Sequence, residues 1–402
     1  MGIVLAQIQY LKKSFPRLDI ALSSRTAEID KELYGSIGIQ VFPPIIPAPS
    51  IFAGNIHKIE RCMKNLFAFK HKTNLIKAIR ESDLVISSGG GYFYSNRRIF
   101  PGPMFFQNLL HLNISIILKK PIIFFPQSFG PFYNPIAPQM LKKILESEKV
   151  IKIFTREKIS FDLLKNLSNK KKVKEKIDVC PDIAFYLNNR QLRPYSQINL
   201  NLPKPIIAIT LRQWEFPEAG SLEEKKKKQE RYLIYFQEIC ERIFYTWGGS
   251  VIIFPQVRGP GKFENDRLIS LKLWKSIKEI LPGKNRLYID LPDTIYPSSI
   301  IHILSQVDLA ISTRLHAGIF ALISNVPVIA IAYQPKSRGI MELLGLENFC
   351  INISDMNPER IFMIIDEILN HHAEIQVKIR DKVAFIKKKI EIKLDETIKS
   401  IL

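Results

Sequence analysis

Short runs rich in Val, Ile and Phe recur along the chain and alternate with longer segments whose apolar residues return every three or four positions. The short runs suit strands buried on both faces, the longer segments suit amphipathic helices, and their alternation is the pattern of parallel-sheet α/β units. Strands are expected at Asp19 to Ser23, Leu84 to Ser87, Pro121 to Phe125, Val150 to Thr155, Ile206 to Leu211, Val251 to Pro255, Asp308 to Ser312 and Pro327 to Ala332. Between the two halves of this set, from Asn188 to Pro205, the stretch NNRQLRPYSQINLNLPKP is polar, holds three prolines and has no helical period. That composition marks a linker. The organisation expected is a first domain over residues 1–190, a linker over 191–205 and a second domain over 206–357. Residues 358–402 read as two helices that pack back on the domains.

The length of 402 residues supports this division, because a single hydrophobic core stops growing below that size. The 46% apolar and 24% charged content is that of a folded globular chain. Cys62, Cys180, Cys240 and Cys350 stand far apart, with neither a Cys-x-x-Cys pair nor a histidine at ligand spacing, so they read as reduced thiols in a cytoplasmic protein rather than as a zinc site or disulfide framework. The start, MGIVLAQIQYLKK, lacks the order of a secretory signal. No apolar run approaches the roughly 20 residues needed to span a bilayer.

A net charge of +20 raises the question of an anionic partner. Much of the excess falls in runs, KKKVKEK at Lys170 to Lys176, EEKKKK ending at Lys228 and KKK at Lys387 to Lys389, which read first as solvated helix faces or loops. The next reading is peripheral contact with anionic membrane. Nucleic acid is not expected as a partner, since no recognised binding motif accompanies the charge.

In open parallel sheets ligands bind outside the carboxyl ends of the strands, so the residues that follow each strand carry the candidate chemistry. Gly89-Gly90-Gly91 follow LVISS, Gln127 follows IIFFP, and Arg156 follows IKIFT. In the second half Arg212 follows IAITL, Gln256 and Arg258 follow VIIFP, Arg314 and His316 follow LAIST, and Tyr333 and Lys336 follow VIAIA. Cations therefore converge on one edge, and a cleft between two domains lined in this way suits a small, highly anionic ligand. The three glycines read as a strand-to-helix turn or as a contact for phosphate or sugar. Gln127 and Gln256 read as satisfying backbone groups, and Asp182 reads as a cap, with contact to a ligand as the alternative for each. His316, at a helix start beside Arg314, is placed to donate to a developing negative charge.

The segment STRLHAGIFALISNVPVIAIAYQPKSRGIMELLGL strongly resembles the C-terminal signature of the polysaccharide pyruvyl transferase family, with the Arg314-x-His316 step, Pro327 and the Tyr333-x-x-Lys336 step in order. SSGGGYF, FPQSFGP, FTREKIS and CPDIAF resemble the family's earlier blocks, so the resemblance covers roughly Ser14 to Phe349. It implies an α/β fold of two Rossmann-like domains with parallel sheets facing across a cleft, glycosyltransferase-B-like. It also implies transfer of the enolpyruvyl unit of phosphoenolpyruvate to a sugar of a cell-surface polysaccharide or its precursor, as a pyruvate ketal. Carried onto matching positions, the functional residues are Arg156, Arg314, His316 and Lys336, with Arg212 beside them. The family's opening strand and its Gly-containing loop do not precede MGIVLAQIQYLKK, so the first domain is expected to lack its first strand.

On that reading Arg212, Arg314 and Lys336 bind phosphoenolpyruvate, His316 is the general acid and Arg156 shares the catalytic work. Gly89, Gly90, Gly91, Gln127, Asp182 and Gln256 line the acceptor side or cleft. Asp182 and Asp266 are candidate bases or acceptors of sugar hydroxyls. No metal and no cofactor is expected, since the cations can neutralise the phosphate, and the acceptor is a free or a lipid-linked sugar. Two alternatives remain: a nucleotide-sugar-dependent glycosyltransferase or epimerase, which would need a carboxylate such as Glu342 on the ribose, and a non-catalytic basic binding protein.

Overall fold

The computed structural model describes residues 2–45, 74–95, 101–188, 198–257, 265–290 and 297–401. Cys62, Arg258 and residues 191–197 of the expected linker lie outside the described residues. The chain divides into two compact units, one built from Ile3–Tyr186 with Lys389–Leu402, the other from Leu187–Lys388 with Met1–Gly2. We refer to them as the N-terminal and C-terminal units.

In the N-terminal unit, β1 (Ala21–Ser23) and β2 (Gln40–Phe42) form a small parallel pair. A second parallel sheet is built from β3 (Val85–Ser87), β4 (Gly90–Ser95), β5 (Ile122–Phe132), β6 (Val150–Thr155) and β7 (Ile177–Val179), with β3, β5, β6 and β7 side by side. β5 runs well past the Pro121 to Phe125 expected from its apolar run. Its first half pairs with β3, Val85 opposite Ile122, and its second half takes β4, Gly90 opposite Gln127. Gly89 to Gly91 therefore lead into a strand and do not form the expected strand-to-helix turn. The core beneath holds fully buried Ile122, Phe124, Leu141, Ile153 and Leu164, with Phe93 stacked on Phe129 at 5.6 Å. Burial of each such side chain favours folding by about 1.5–3 kcal/mol.

The closing helix, His372–Lys399, completes this unit with its last turns, burying Ile390, Leu394 and Ile398. Polar ties fix the same face: Tyr10 Oη donates to Asp395 at 2.7 Å, Lys13 Nζ and Tyr186 Oη both reach Glu391 Oε1 at 2.7 Å, and Lys393 Nζ donates to both oxygens of Asp178 at 2.8 Å.

The C-terminal unit carries six parallel strands, β8 (Ile206–Thr210), β9 (Ser250–Ile253), β10 (Arg286–Tyr288), β11 (Leu309–Ser312), β12 (Val328–Ala332) and β13 (Cys350–Asn352). Their order is β10-β9-β8-β11-β12-β13. Every residue of β8, β9, β11 and β12 is buried, which explains why these strands read as continuous apolar runs without alternation. From β8 the chain moves outward through β9 and β10, then returns to lay β11 against the other side of β8. The β8–β11 seam is thus the point where strand order reverses, and the ends of parallel strands leave a crevice there.

The eight expected strands are all present, within a few residues of their expected bounds except at the long end of β5. β2, β4, β7, β10 and β13 were not expected; all but the six-residue β4 are only three residues long. The lysine runs lie on helices: Lys171–Lys176, the first turns of Leu222–Trp247, and His372–Lys399. Among the described residues no helix is long and apolar enough to cross a membrane.

Candidate functional site

The sequence-predicted residues fall into one group in each unit. In the C-terminal unit the three adjacent strands β8, β11 and β12 end together, and the residues just beyond them are Arg212, Thr313 to His316, and Tyr333. Side-chain hydrogen bonds lock these ends. Thr210 Oγ1 and Ser312 Oγ lie 3.0 Å apart across β8 and β11, and Ser312 Oγ donates to the Arg314 carbonyl at 2.6 Å. Tyr232 Oη bridges the next layer, 2.8 Å from Thr313 Oγ1 and accepting from the Arg212 amide at 3.4 Å.

Arg314 forks onto Asp266, its Nε 2.8 Å from Oδ2 and its Nη2 2.5 Å from Oδ1. The two side chains are only 10% and 0% exposed. Val257 N also donates to Asp266 Oδ2 at 3.1 Å. Burial pushes the Asp266 carboxyl above its ordinary range, against the pull of the Arg314 guanidinium. Asp266 was expected as a base or a sugar-hydroxyl acceptor. Enclosed and forked by Arg314, it instead fixes that arginine in place.

Arg212 lies with its guanidinium carbon 4.0 Å from the centre of the Tyr333 ring and 5.2 Å from that of Trp214, and the two rings meet at 4.8 Å. Lys336 Nζ is 5.3 Å from the Tyr333 ring centre. Burial pulls Arg212 below the usual guanidinium range and the nearby Arg314 charge adds to this, while electrostatic interaction with Tyr333 opposes it. Arg212 Nε has no hydrogen-bond partner. At Tyr333 burial resists ionisation, yet Lys336, Arg212 and Arg314 together outweigh it and bring the phenol down to about 8.

His316 is half-buried in the first turn of the helix Leu315–Ile323. Gln256 Oε1 accepts from Ala317 N of that same turn at 3.1 Å, so Gln256 serves the backbone, as expected of it. Glu342, the carboxylate considered for a nucleotide ribose, is exposed on the helix Pro335–Leu344.

In the N-terminal unit Arg156 and Asp182 form a pair with side chains 2% and 0% exposed, Nη1 to Oδ2 at 2.6 Å. Arg156 Nε donates to Ser128 Oγ at 2.7 Å, and Asp182 Oδ1 accepts from Ala184 N at 2.9 Å, capping the turn Ile183–Tyr186. Asp182 is therefore both the expected cap and the counter-charge of Arg156. Gln127 is fully buried, with Nε2 donating to Ser87 Oγ at 3.2 Å and Oε1 left without a partner.

Gly89 and Gly90 have packing reasons for being glycine, whereas a Cβ at Gly91 would meet only Arg156 Nη2, at an ordinary 3.7 Å. A Cβ at Gly89 would stand 2.8 Å from the Pro126 carbonyl and 3.0 Å from Gln7 Nε2, and Gly90 has φ +135° with the Tyr92 ring 2.6 Å from where a Cβ would go. The Pro126 carbonyl belongs to the sheet and cannot yield. Gly89→Ala is expected to destabilise the N-terminal unit by about 1–3 kcal/mol through overpacking, read as a lower thermal midpoint. An unchanged midpoint with weakened ligand binding would give the glycine to a ligand instead.

Three residues were missed as parts of this site: Trp214 as a wall for Arg212, Tyr232 as a bridge, and Tyr333 as an ionisable group. Tyr333 follows β12 directly and Trp214 stands in the segment just beyond β8, and that position was the available signal.

Residues 3–335 match the family described as polysaccharide pyruvyl transferase. The chain is similar to the amylovoran biosynthesis protein AmsJ of Erwinia amylovora, at 23% identity over 323 residues, covering 79% of this chain and 72% of that one. Among solved structures it is similar to the UDP-GlcNAc 2-epimerase of Neisseria meningitidis, bound to UDP-GlcNAc, with a TM-score of 0.60, 12% identity and coverage of 99% and 96% of the two chains. A UDP-forming α,α-trehalose-phosphate synthase of Burkholderia xenovorans gives a TM-score of 0.52 at 11% identity, covering 94% of this chain and 86% of that one. At such identities the two structures establish a glycosyltransferase-B-like α/β fold and nothing of the chemistry.

Proposed function

Because this chain belongs to the polysaccharide pyruvyl transferase family, we propose that it transfers the enolpyruvyl unit of phosphoenolpyruvate to a sugar of a polysaccharide or its lipid-linked precursor, as a pyruvate ketal. The observation that carries this reading is the convergence of Arg212, Arg314 and Lys336 at the carboxyl ends of β8, β11 and β12, around Tyr333. Phosphoenolpyruvate presents a carboxylate and a phosphate on one small enol, and only a site with several fixed cations can hold both. Arg314 is held by Asp266 and contributes its field, and Arg212 and Lys336 bring two further charges to the same place.

His316, at the start of its helix beside these cations, is the acid that protonates the methylene carbon. The oxocarbenium-like centre formed at C2 is attacked by the first sugar hydroxyl, whose proton returns to His316. The cations take the role that a metal would otherwise have, so the reaction proceeds without one. The helical lysine runs fit peripheral contact with anionic membrane at its cytoplasmic face, where a lipid-linked acceptor would be met.

Calorimetric titration of phosphoenolpyruvate in the presence of a chelator tests the reading, with a UDP-sugar titrated in parallel. Binding of phosphoenolpyruvate is expected, and Lys336→Ala should weaken it by about 1.5–3 kcal/mol, the worth of a charge-assisted contact. Binding of the UDP-sugar alone would replace this reading with that of a nucleotide-sugar enzyme.

A further inference from the structure

Tyr333 stands at the centre of the cation cluster, and the acid described above leaves it without a task. Its ring is faced by Arg212 at 4.0 Å and by Trp214 at 4.8 Å, and Lys336 Nζ lies 5.3 Å from its centre. Lys336, Arg212 and Arg314 all act on its hydroxyl as positive charges. Lysine and arginine carry donors and no acceptor, so none of these cations can take the phenol proton. The charged groups facing it come from each neighbouring element: Lys336 from the helix Pro335–Leu344, Arg212 from the segment after β8, and Arg314 with its partner Asp266 from the segment after β11 and the residue just before the helix Arg267–Lys278. An anion held by these cations is the natural acceptor for that proton.

We propose that Tyr333 is the proton-relay residue of this site: its hydroxyl protonates the departing phosphate, and the phenolate so formed takes the proton of the second sugar hydroxyl as the ketal closes. The inference rests on the pyruvyl-transfer reading above. After the first hydroxyl has added to C2, the C2–O(phosphate) bond breaks and its electron pair stays on the phosphate oxygen, which receives the Tyr333 proton. The second hydroxyl then supplies the electron pair for a new C2–O bond and gives its proton to the phenolate. The two hydroxyl protons are thereby accounted for. One restores His316, which gave its proton to the methylene carbon, and the other restores Tyr333, whose proton leaves on hydrogen phosphate. A phenol brought down to about 8 by its cations is matched to both halves of this exchange near neutral pH.

The test is Tyr333→Phe in the full chain, which keeps the ring that Arg212 and Trp214 pack against. The chain has 13 tyrosines, and an ultraviolet pH titration of the wild type should show one tyrosinate forming near 8 that the variant lacks. Inorganic phosphate or phosphoenolpyruvate should raise that midpoint, since a bound anion opposes ionisation of the phenol. In turnover, wild-type kcat/KM should fall above about 8. The variant should lose that limb, with kcat lower by about 10²–10⁴-fold while phosphoenolpyruvate still binds. A variant with wild-type kcat and an intact alkaline limb would overturn the proposal. If phosphoenolpyruvate proves not to be the donor, the pyruvyl-transfer reading fails by itself. The tyrosinate titration with inorganic phosphate still decides on the phenol, since a midpoint that phosphate does not move would remove Tyr333 from the anion site.

Discussion

Asp182→Ala is expected to destabilise the N-terminal unit by about 3–5 kcal/mol, because it strips the counter-charge from an arginine buried with it. Arg156 and Asp182 have side chains 2% and 0% exposed, so the buried guanidinium cannot exchange the carboxylate for bulk water without rearrangement. The same change also removes the cap on the turn Ile183–Tyr186. Urea unfolding followed in the N-terminal unit should show a lower midpoint at unchanged slope. The double variant Arg156→Met with Asp182→Leu separates structure from chemistry. Replacing a buried ion pair by apolar groups of similar size is often neutral, so stability should recover. If activity recovers with it, Arg156 is scaffolding. Persistent loss of activity in a stable protein would assign Arg156 the catalytic part that the family resemblance implies.

Arg314→Ala should have a comparable effect on the C-terminal unit and a larger one on function. It leaves the Asp266 carboxylate, fully buried, without its fork, at about 3–5 kcal/mol. It also removes one of the three charges that act on Tyr333 and unlocks the turn that carries His316. Turnover is expected to fall by about 10²–10³-fold or more, the usual cost of losing one fixed electrostatic group. Arg314→Lys keeps the charge but not the planar fork, so it should regain part of the turnover and little of the stability. Were Arg314→Ala as stable as the wild type, Arg314 would be free to bind ligand directly and Asp266 would have no structural task.

The sequence made the C-terminal unit's framework legible because its central strands are buried on both faces and so appear as unbroken apolar runs. Arg212, Arg314 and Lys336 were legible for the same reason, since a residue that follows such a run stands at the ligand-binding end of the sheet. Their partners were not. Asp266 lies 48 positions from Arg314, and nothing local marks it as the acceptor of that fork. The acidity of Tyr333 comes from three cations brought to it by three separate elements, and no single segment contains it. β4 was hidden because glycines read as a turn, whereas here they allow the chain to pass close to Pro126 and Gln7. The three-residue edge strands fell below the length at which alternation can be counted.

The last turns of the closing helix belong to the N-terminal unit, and this orders events during translation. Tyr10, Lys13, Asp178 and Tyr186 are made early, but their partners Asp395, Glu391 and Lys393 emerge from the ribosome only after the whole C-terminal unit has been synthesised. Until then the surface that Ile390, Leu394 and Ile398 will cover stays open to water and to chaperones. The usual order, in which the N-terminal domain finishes folding first, is therefore inverted for this chain. The C-terminal unit has all its strands in hand before the N-terminal unit can close.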